Sequence, residues 1–258
     1  MGTLKLDSLP PEEVPADLAA PTYFDFTAHP FAHQALFDAH NSVCTAIAGI
    51  HDYTANWLHE TITARRDDAH AWASGEDAPI HGTGRFRVLL EEGAVFEPSV
   101  IVGHNNDDPF RIYLEAGAKI VGARIYLDKG DILVGKDSSI EPGAGIRGPV
   151  IIGSETEVRQ DAYLRGDCII GDRCTLRGEI KNCVIMDESD FPHPSYLGDS
   201  LCGYKSHFGN QATAANLGIF AGLASSGDRQ ALTVDCDGQT YNIGRAKMGV
   251  CMGDYCQV

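Results

Sequence analysis

From Val134 onward the apolar positions fall at every sixth residue: Val134, Ile140, Ile146, Ile152, Val158, Leu164, Ile170 and Leu176. Four residues after each of the first seven stands a small or modest side chain: Ser138, Ala144, Val150, Thr156, Ala162, Cys168 and Cys174. Gly135, Gly153 and Gly171 lie 18 apart, as do Arg147 and Arg165, and Arg159 and Arg177. A helix would show a period of about 3.6 and a half-buried strand a period of about 2. Six-residue steps grouped in threes describe a triangular coil instead. Three short strands each point one aliphatic inward, small residues make the corners, and successive coils pair as parallel strands ~4.8 Å apart. Each inward aliphatic contributes roughly 1.5–3 kcal/mol when buried.

The spacing extends both ways. Leu90, Phe96 and Val102 are six apart, Leu114 and Ile120 resume after the loop "HNNDDP" (104–109), and Ile185, Phe191, Leu197 then Cys202, Phe208, Ala214 follow. A polar excursion at about 219–247 interrupts the coils before Met252 and Val258. Residues 86–258 therefore read as one mainly β, parallel β-helical domain containing that excursion. The chain stops on an inward-type position, where a continuation or a covering partner is expected. In front, residues 1–22 read as a flexible arm and 23–85 as an α-helical region. Thr27 and Pro30 suit a helix start, and Leu36, Phe37, Val43, Cys44, Ile47, Trp57, Leu58 and Ile62 suggest an apolar face over about 30–72, broken at Gly49. Such a helix should pack on the coils or build an oligomer interface.

Composition narrows the function classes. The 258 residues hold 36 acids against 20 Lys+Arg, a formal charge of −16. That excess argues against a general binder of nucleic acid or anionic membranes, while allowing a local basic pocket for a phosphorylated substrate. The acidic, Pro-rich opening carries no signal peptide, and no apolar run approaches the ~20 residues of a membrane span. Eight cysteines form no Cys-x-x-Cys, so they read as reduced thiols of a cytoplasmic protein rather than a zinc ribbon. No metal site is expected. His29 and His33 are four apart but suit a solvated helix start, and "HNNDDP" suits a turn.

Candidate chemistry concentrates in "FPHPSYLGDS" (191–200), where His193 stands between two prolines that limit its backbone, with Tyr196 three residues on. The hexads resemble those of left-handed parallel β-helix acyltransferases. The run 145–218, with "EIKN", "HPSYLGDS" and Asn216 at matching spacing, is similar to the acetyltransferase half of bifunctional glucosamine-1-phosphate acetyltransferase / N-acetylglucosamine-1-phosphate uridyltransferases. The resemblance implies that His193 matches the family's catalytic base and Lys181 its phosphate-binding lysine. Tyr196 and Asn216 match its sugar-site residues. Arg165 lies near its phosphate-binding arginine, although the segment to Lys181 is two residues short, and Arg177 is the alternative.

By the same resemblance, acetyl-CoA is the acyl donor substrate, no tightly bound cofactor is needed, an amino-sugar phosphate is the acceptor, and the chain forms a homotrimer. An amine attacks only after losing a proton, and histidine, a residue type with pKa ~6.5, suits that task. Three departures stand against this. His207 replaces an asparagine, "GNQA" (209–212) replaces Gly-Ala-Gly-Thr, and no Gly-rich nucleotide loop precedes the coils, so uridyltransferase activity is not expected. The left-handed β-helix carbonic anhydrases are excluded, because the coil histidines 104, 193 and 207 form no His-x4-His pair. The rival is a non-catalytic β-helix module for sugar-nucleotide binding or assembly.

Overall fold

The computed structural model describes residues 2–73, 81–97, 99–105, 107–218 and 229–258. Its centre is a parallel β-helix of about seven coils with three strand columns. The first face stacks 87–90, 111–114, 132–134, 150–152, 168–170, 183–185, 200–202 and 251–252 in parallel register. The second face stacks six two-residue strands from Val95–Phe96 to Asp190–Phe191. The third runs from His81–Thr83 to Thr213–Ala214, so pairing begins five residues before the hexads predict. The sixfold aliphatics from Val134 to Leu176 all lie in one buried core.

Three details differ from the hexad reading, each for a geometric reason. Ile101, not Val102, points inward, because the step from Phe96 has five residues there; Ile101 is fully buried and registers with Ile125. The corners themselves are not small. Asp137, Glu155, Arg173, Glu188 and Lys205 take positive φ of 52–58° at successive turns. The small residues sit one place further on, where the coil converges inside. There Ser138, Thr156, Ser189 and Ser206 are buried; the first three bond backbone groups of neighbouring coils, as in Ser138 Oγ to Gly153 O at 2.6 Å, and the Ser206 hydroxyl meets that of Ser189 at 3.0 Å. Val258, expected inward, is 58% exposed.

The first face is buried on both sides. In Ile132–Val134 the outer residues face the core, while Leu133 points outward with Leu89, Tyr113, Ile151, Ile169, Val184 and Leu201. Helix α1 (Ala35–Asp38) is a single turn; helix α2 (Val43–Ala64) covers this outer column with Val43, Ile47, Ile50, Thr54, Leu58 and Ile62. The helix starts at Ser42 rather than near Pro30. Ser42 and Thr45 form a reciprocal capping box, each side chain bonding the other's backbone N–H. Gly49 does not break it; His40 packs against the glycine, within 2.2 Å of where a Cβ would lie. Twenty-two residues give ~33 Å of helix at ~1.5 Å per residue, and eight stacked strands span ~34 Å. Accordingly Cys44 meets Met248 near the last coil, and Arg65, just past the other end, pairs with Glu91 and Glu115 at the first. His70–Ala73 then pairs antiparallel with Arg87–Leu90 and covers the opening edge.

Residues 2–22 are not a free arm here. They run as short 3-10 turns with Leu6 and Leu18 buried, and Leu4–Lys5 adds a strand to the hairpin Thr233–Cys236/Gln239–Asn242. That hairpin lies within the expected excursion, of which 219–228 fall outside the described residues, as does Asn106 of the "HNNDDP" loop. No helix among the described residues is long and apolar enough to cross a membrane.

Two stability measurements check this packing. Ile151→Ala, on the outer side of the first face, should cost about 2–5 kcal/mol in urea unfolding, as much as the inward-facing Ile152→Ala. A cost under about 0.5 kcal/mol for Ile151→Ala would mean that α2 is not seated there. His33 is 5% exposed, 3.2 Å from the Tyr53 hydroxyl and edge-on to Trp57, and burial lowers its pKa from 6.5 to about 4, outweighing the pull of Asp172. Between those two values the unfolded chain takes up a proton at this residue that the folded chain refuses. Stability should therefore drop as the pH is lowered through that window, by at most about 1.4 kcal/mol per pH unit, and His33→Gln should flatten the drop.

Candidate active site

Lys181 lies in Glu179–Ile185 and Gly198 in Tyr196–Cys202, and the two are direct register partners on the third face. Gly198 is required by what lies over it. A Cβ there would come within 2.7 Å of both Tyr196 Oη and Asn216 Nδ2. The tips of Tyr196 and Asn216 thus meet above Gly198, where the Tyr196 hydroxyl donates to Asn216 Oδ1 at 3.3 Å. Three of the sequence candidates, Lys181, Tyr196 and Asn216, are brought onto one patch one strand spacing wide.

Arg165 joins them from the neighbouring coil. Its N–H donates to Ile180 O at 2.8 Å, which sets it beside Lys181 despite the two missing residues. The shortening is absorbed at the corner Arg177–Gly178. Gly178 takes φ +107°, and any Cβ there would meet Ser195 backbone and side chain at 2.5–2.7 Å. The guanidinium of Arg165 is paired with Glu179, which holds its pKa above the ordinary value by that hydrogen bond first. Lys181, half-buried, has no carboxylate partner among the described residues. It is the unneutralised cation of a column whose earlier member, Arg147, is paired with Asp128 at 3.1 Å.

His193 occupies the corner between the second and third faces. Leu176 registers with Phe191 and Glu179 with Tyr196, so residues 192–195 oppose only 177–178. The corner 192–195 has the four residues of an ordinary hexad while 177–178 is the short one, and His193 is exposed with no hydrogen-bond partner among the described residues. Arg177, whose N–H donates to Phe191 O at 2.7 Å, stands beside this corner rather than beside Lys181. His207 is a rung further on, with Nδ1 3.4 Å from the Asp190 carboxylate. Burial first, and then the Glu179 carboxylate, raise the Tyr196 pKa, which keeps its proton available for Asn216.

Residues that the hexads did not single out complete the patch. Asp199, 3% exposed at φ +49°, accepts from Asn182 Nδ2 at 2.7 Å, from Asn216 Nδ2 and from the Arg245 guanidinium. The Gly198-Asp199 turn carried a signal, since aspartate tolerates positive φ. Arg245 carried none, because it lies outside the repeat. Among the described residues no group of three or more His, Cys, Asp or Glu is placed to hold a metal. His29 and His33 do not form a helical pair, for His29 stacks on Tyr204 while His33 is buried against Tyr53.

No family model matches the chain. Over 77 residues, 30% of its length, it is 34% identical to a bifunctional sugar-1-phosphate nucleotidylyltransferase/acetyltransferase of Sulfurisphaera tokodaii. The matched stretch is 17% of that protein, so the chain corresponds to under a fifth of its length. Over that stretch the chain is similar to a protein whose name includes acetyltransferase, and its own coils form a parallel β-helix.

The patch can be checked without any ligand. In Gly198→Ala the atoms in the way are side-chain tips, so the backbone should hold and the unfolding midpoint should stay within about 0.5 kcal/mol of wild type. The crystal structure of the variant should show the Tyr196–Asn216 bond broken. An intact bond beside the new methyl would mean that these tips do not meet over residue 198.

Proposed function

We propose that the chain transfers an acetyl group from acetyl-CoA to the amine of an amino-sugar phosphate of the glucosamine-1-phosphate kind. The observation that carries this is the meeting of Lys181, an ammonium with no carboxylate partner among the described residues, with the Tyr196–Asn216 pair on one face. An acyltransferase kind of function is supported by the hexapeptide coil and by the partial relative whose name includes acetyltransferase. Lys181 attracts the phosphate as a compact point charge. Tyr196 and Asn216 hold hydroxyl or amine groups of the sugar. His193, exposed at its corner, acts as the base toward the amine nitrogen.

The ammonium first gives one proton to solvent; the lone pair of the neutral amine then attacks the thioester carbonyl carbon, and as it does so His193 takes a second proton from that nitrogen. A C–N bond forms, the carbonyl electrons move to oxygen, and their return breaks the C–S bond. The proton held by His193 passes to the departing thiolate, so atoms and charges balance. An exposed base needs a second surface to exclude water and hold CoA, and a homotrimer, with sites between neighbouring coils, supplies one in this proposal. A non-catalytic binding module is favoured by one specific feature: nothing within the described chain orients the His193 ring.

Thiol release from acetyl-CoA with glucosamine-1-phosphate separates the two. Turnover should fall about 10²–10⁴-fold in His193→Ala, the range for loss of a general base. Lys181→Ala should raise KM for glucosamine-1-phosphate at least tenfold while leaving KM for glucosamine within about twofold, since a lone cation acts on the phosphate. Sugar-phosphate binding without thiol release by the wild type would sink the transferase proposal and support a binding module.

A further inference from the structure

Asp199 is almost completely buried, and its two oxygens meet three donors, from Asn182, Asn216 and Arg245. Arg245 belongs to the segment that follows the hairpin and returns along the corner between the third and first faces. There Met248 N–H donates to Asn216 O at 3.1 Å and Gly249 N–H to Asp199 O at 2.8 Å. The Nε and Nη1 atoms of Arg245 are shielded from solvent and make no hydrogen bond with the described residues. Asp199 is therefore the one hydrogen-bond partner of its guanidinium among them. A buried carboxylate left without a cation is strongly disfavoured; here the Arg245 guanidinium faces Asp199, and all three contacts to its oxygens come from N–H donors.

An anionic carboxylate only accepts hydrogen bonds. Facing it, Asn216 must present its NH2 group, which turns its carbonyl oxygen toward Tyr196. The Tyr196 proton is then committed to that oxygen, and the phenol keeps only lone pairs for anything bound on the open face. The opposite amide orientation would make Tyr196 a donor to the ligand instead. The polarity of the sugar patch is thus decided at Arg245, outside the hexad repeat.

We propose that Arg245 is a positioning residue which, through Asp199, fixes the Asn216 amide and makes Tyr196 a hydrogen-bond acceptor for N–H or O–H groups of the acceptor substrate. The substrate part rests on the transferase function proposed above; the orientation part does not. The test uses Arg245→Lys, which keeps the charge, Arg245→Met, which removes it, and the double variant Asp199→Asn/Arg245→Gln. The double variant leaves no buried lone charge, so it keeps the fold accessible if Arg245→Met does not fold.

Two readouts are taken. In unliganded ¹⁵N-labelled protein, the Asn216 side-chain amide, assigned with Asn216→Asp, should give a pair split by its carboxylate bond. That pair should persist in Arg245→Lys and collapse in Arg245→Met and in the double variant. In turnover, KM for glucosamine-1-phosphate should rise at least tenfold in the charge-removed proteins, with kcat and KM for acetyl-CoA within about threefold, and Arg245→Lys should restore it. A wild-type amide pattern in a folded charge-removed variant overturns the positioning role. An altered pattern with wild-type KM overturns its link to substrate. Wild-type protein without turnover removes the transferase function, and the amide spectrum alone then decides whether Arg245 positions Asn216.

Discussion

Every strand of the first face is buried on both sides, and the rest of the molecule follows from that constraint. A three-residue strand such as Ile132–Val134 points two side chains into the coil and one out. Were the outer column polar, the coil could stand alone. Here it is Leu89, Tyr113, Leu133, Ile151, Ile169, Val184 and Leu201, a strip that water would cover at a cost of roughly 25 cal/mol per Å². One helix of matching length removes the strip from water. With that face closed, the polar chemistry of the coil is left to the second and third faces, and the candidate residues lie on the third and at the corner it shares with the second.

A single local shortening shapes that site. Two residues fewer between Leu176 and Ile180 still leave Arg165 and Lys181 on adjacent rungs, because the loss is taken up at the Gly178 corner. The next coil's corner, 192–195, returns to the four residues of an ordinary hexad, and His193 is exposed there as Gln160 and Asp161 are at the same corner two coils earlier. The prolines flank the imidazole, and Gln211 N–H bonds Pro194 O at 2.9 Å from the next coil.

The coil was legible in the sequence because its inward positions are chemically uniform and evenly spaced. Ile140, Ile152, Leu164 and Leu176 needed no tertiary information to be assigned. Legibility failed where spacing changed, as at Ile101, since a five-residue step puts a different residue inward without altering composition. It failed too for the helix start. Thr27 and Pro30 are plausible caps, but the Ser42–Thr45 box, stabilised by its seat on the coil, won. The site divides along the same line. Lys181, Tyr196 and Asn216 could be named from motif spacing, whereas their grouping over Gly198 depends on register across two coils. Arg245 could not be named at all, for it reaches Asp199 across 46 positions of chain.

The corner between the third and first faces ties these parts together. Asp167, Asn182 and Asp199 occupy it on successive coils with φ of 57°, 52° and 49°, a conformation that short polar side chains tolerate. Each turns toward something outside the coil. Asp167 meets His51 of α2 at 2.6 Å, Asn182 makes a long 3.5 Å contact with Ile47 O of the same helix, and Asp199 meets Arg245. A bare β-helix would leave this column to water. In this chain the helix takes its upper part and the returning segment its lower part, so the floor beneath Tyr196 and Asn216 is set by two elements that contribute no strand to it. The additions around the repeat are therefore part of how the third face is built, and a hexapeptide coil without them would present the same Lys181, Tyr196 and Asn216 with no fixed polarity.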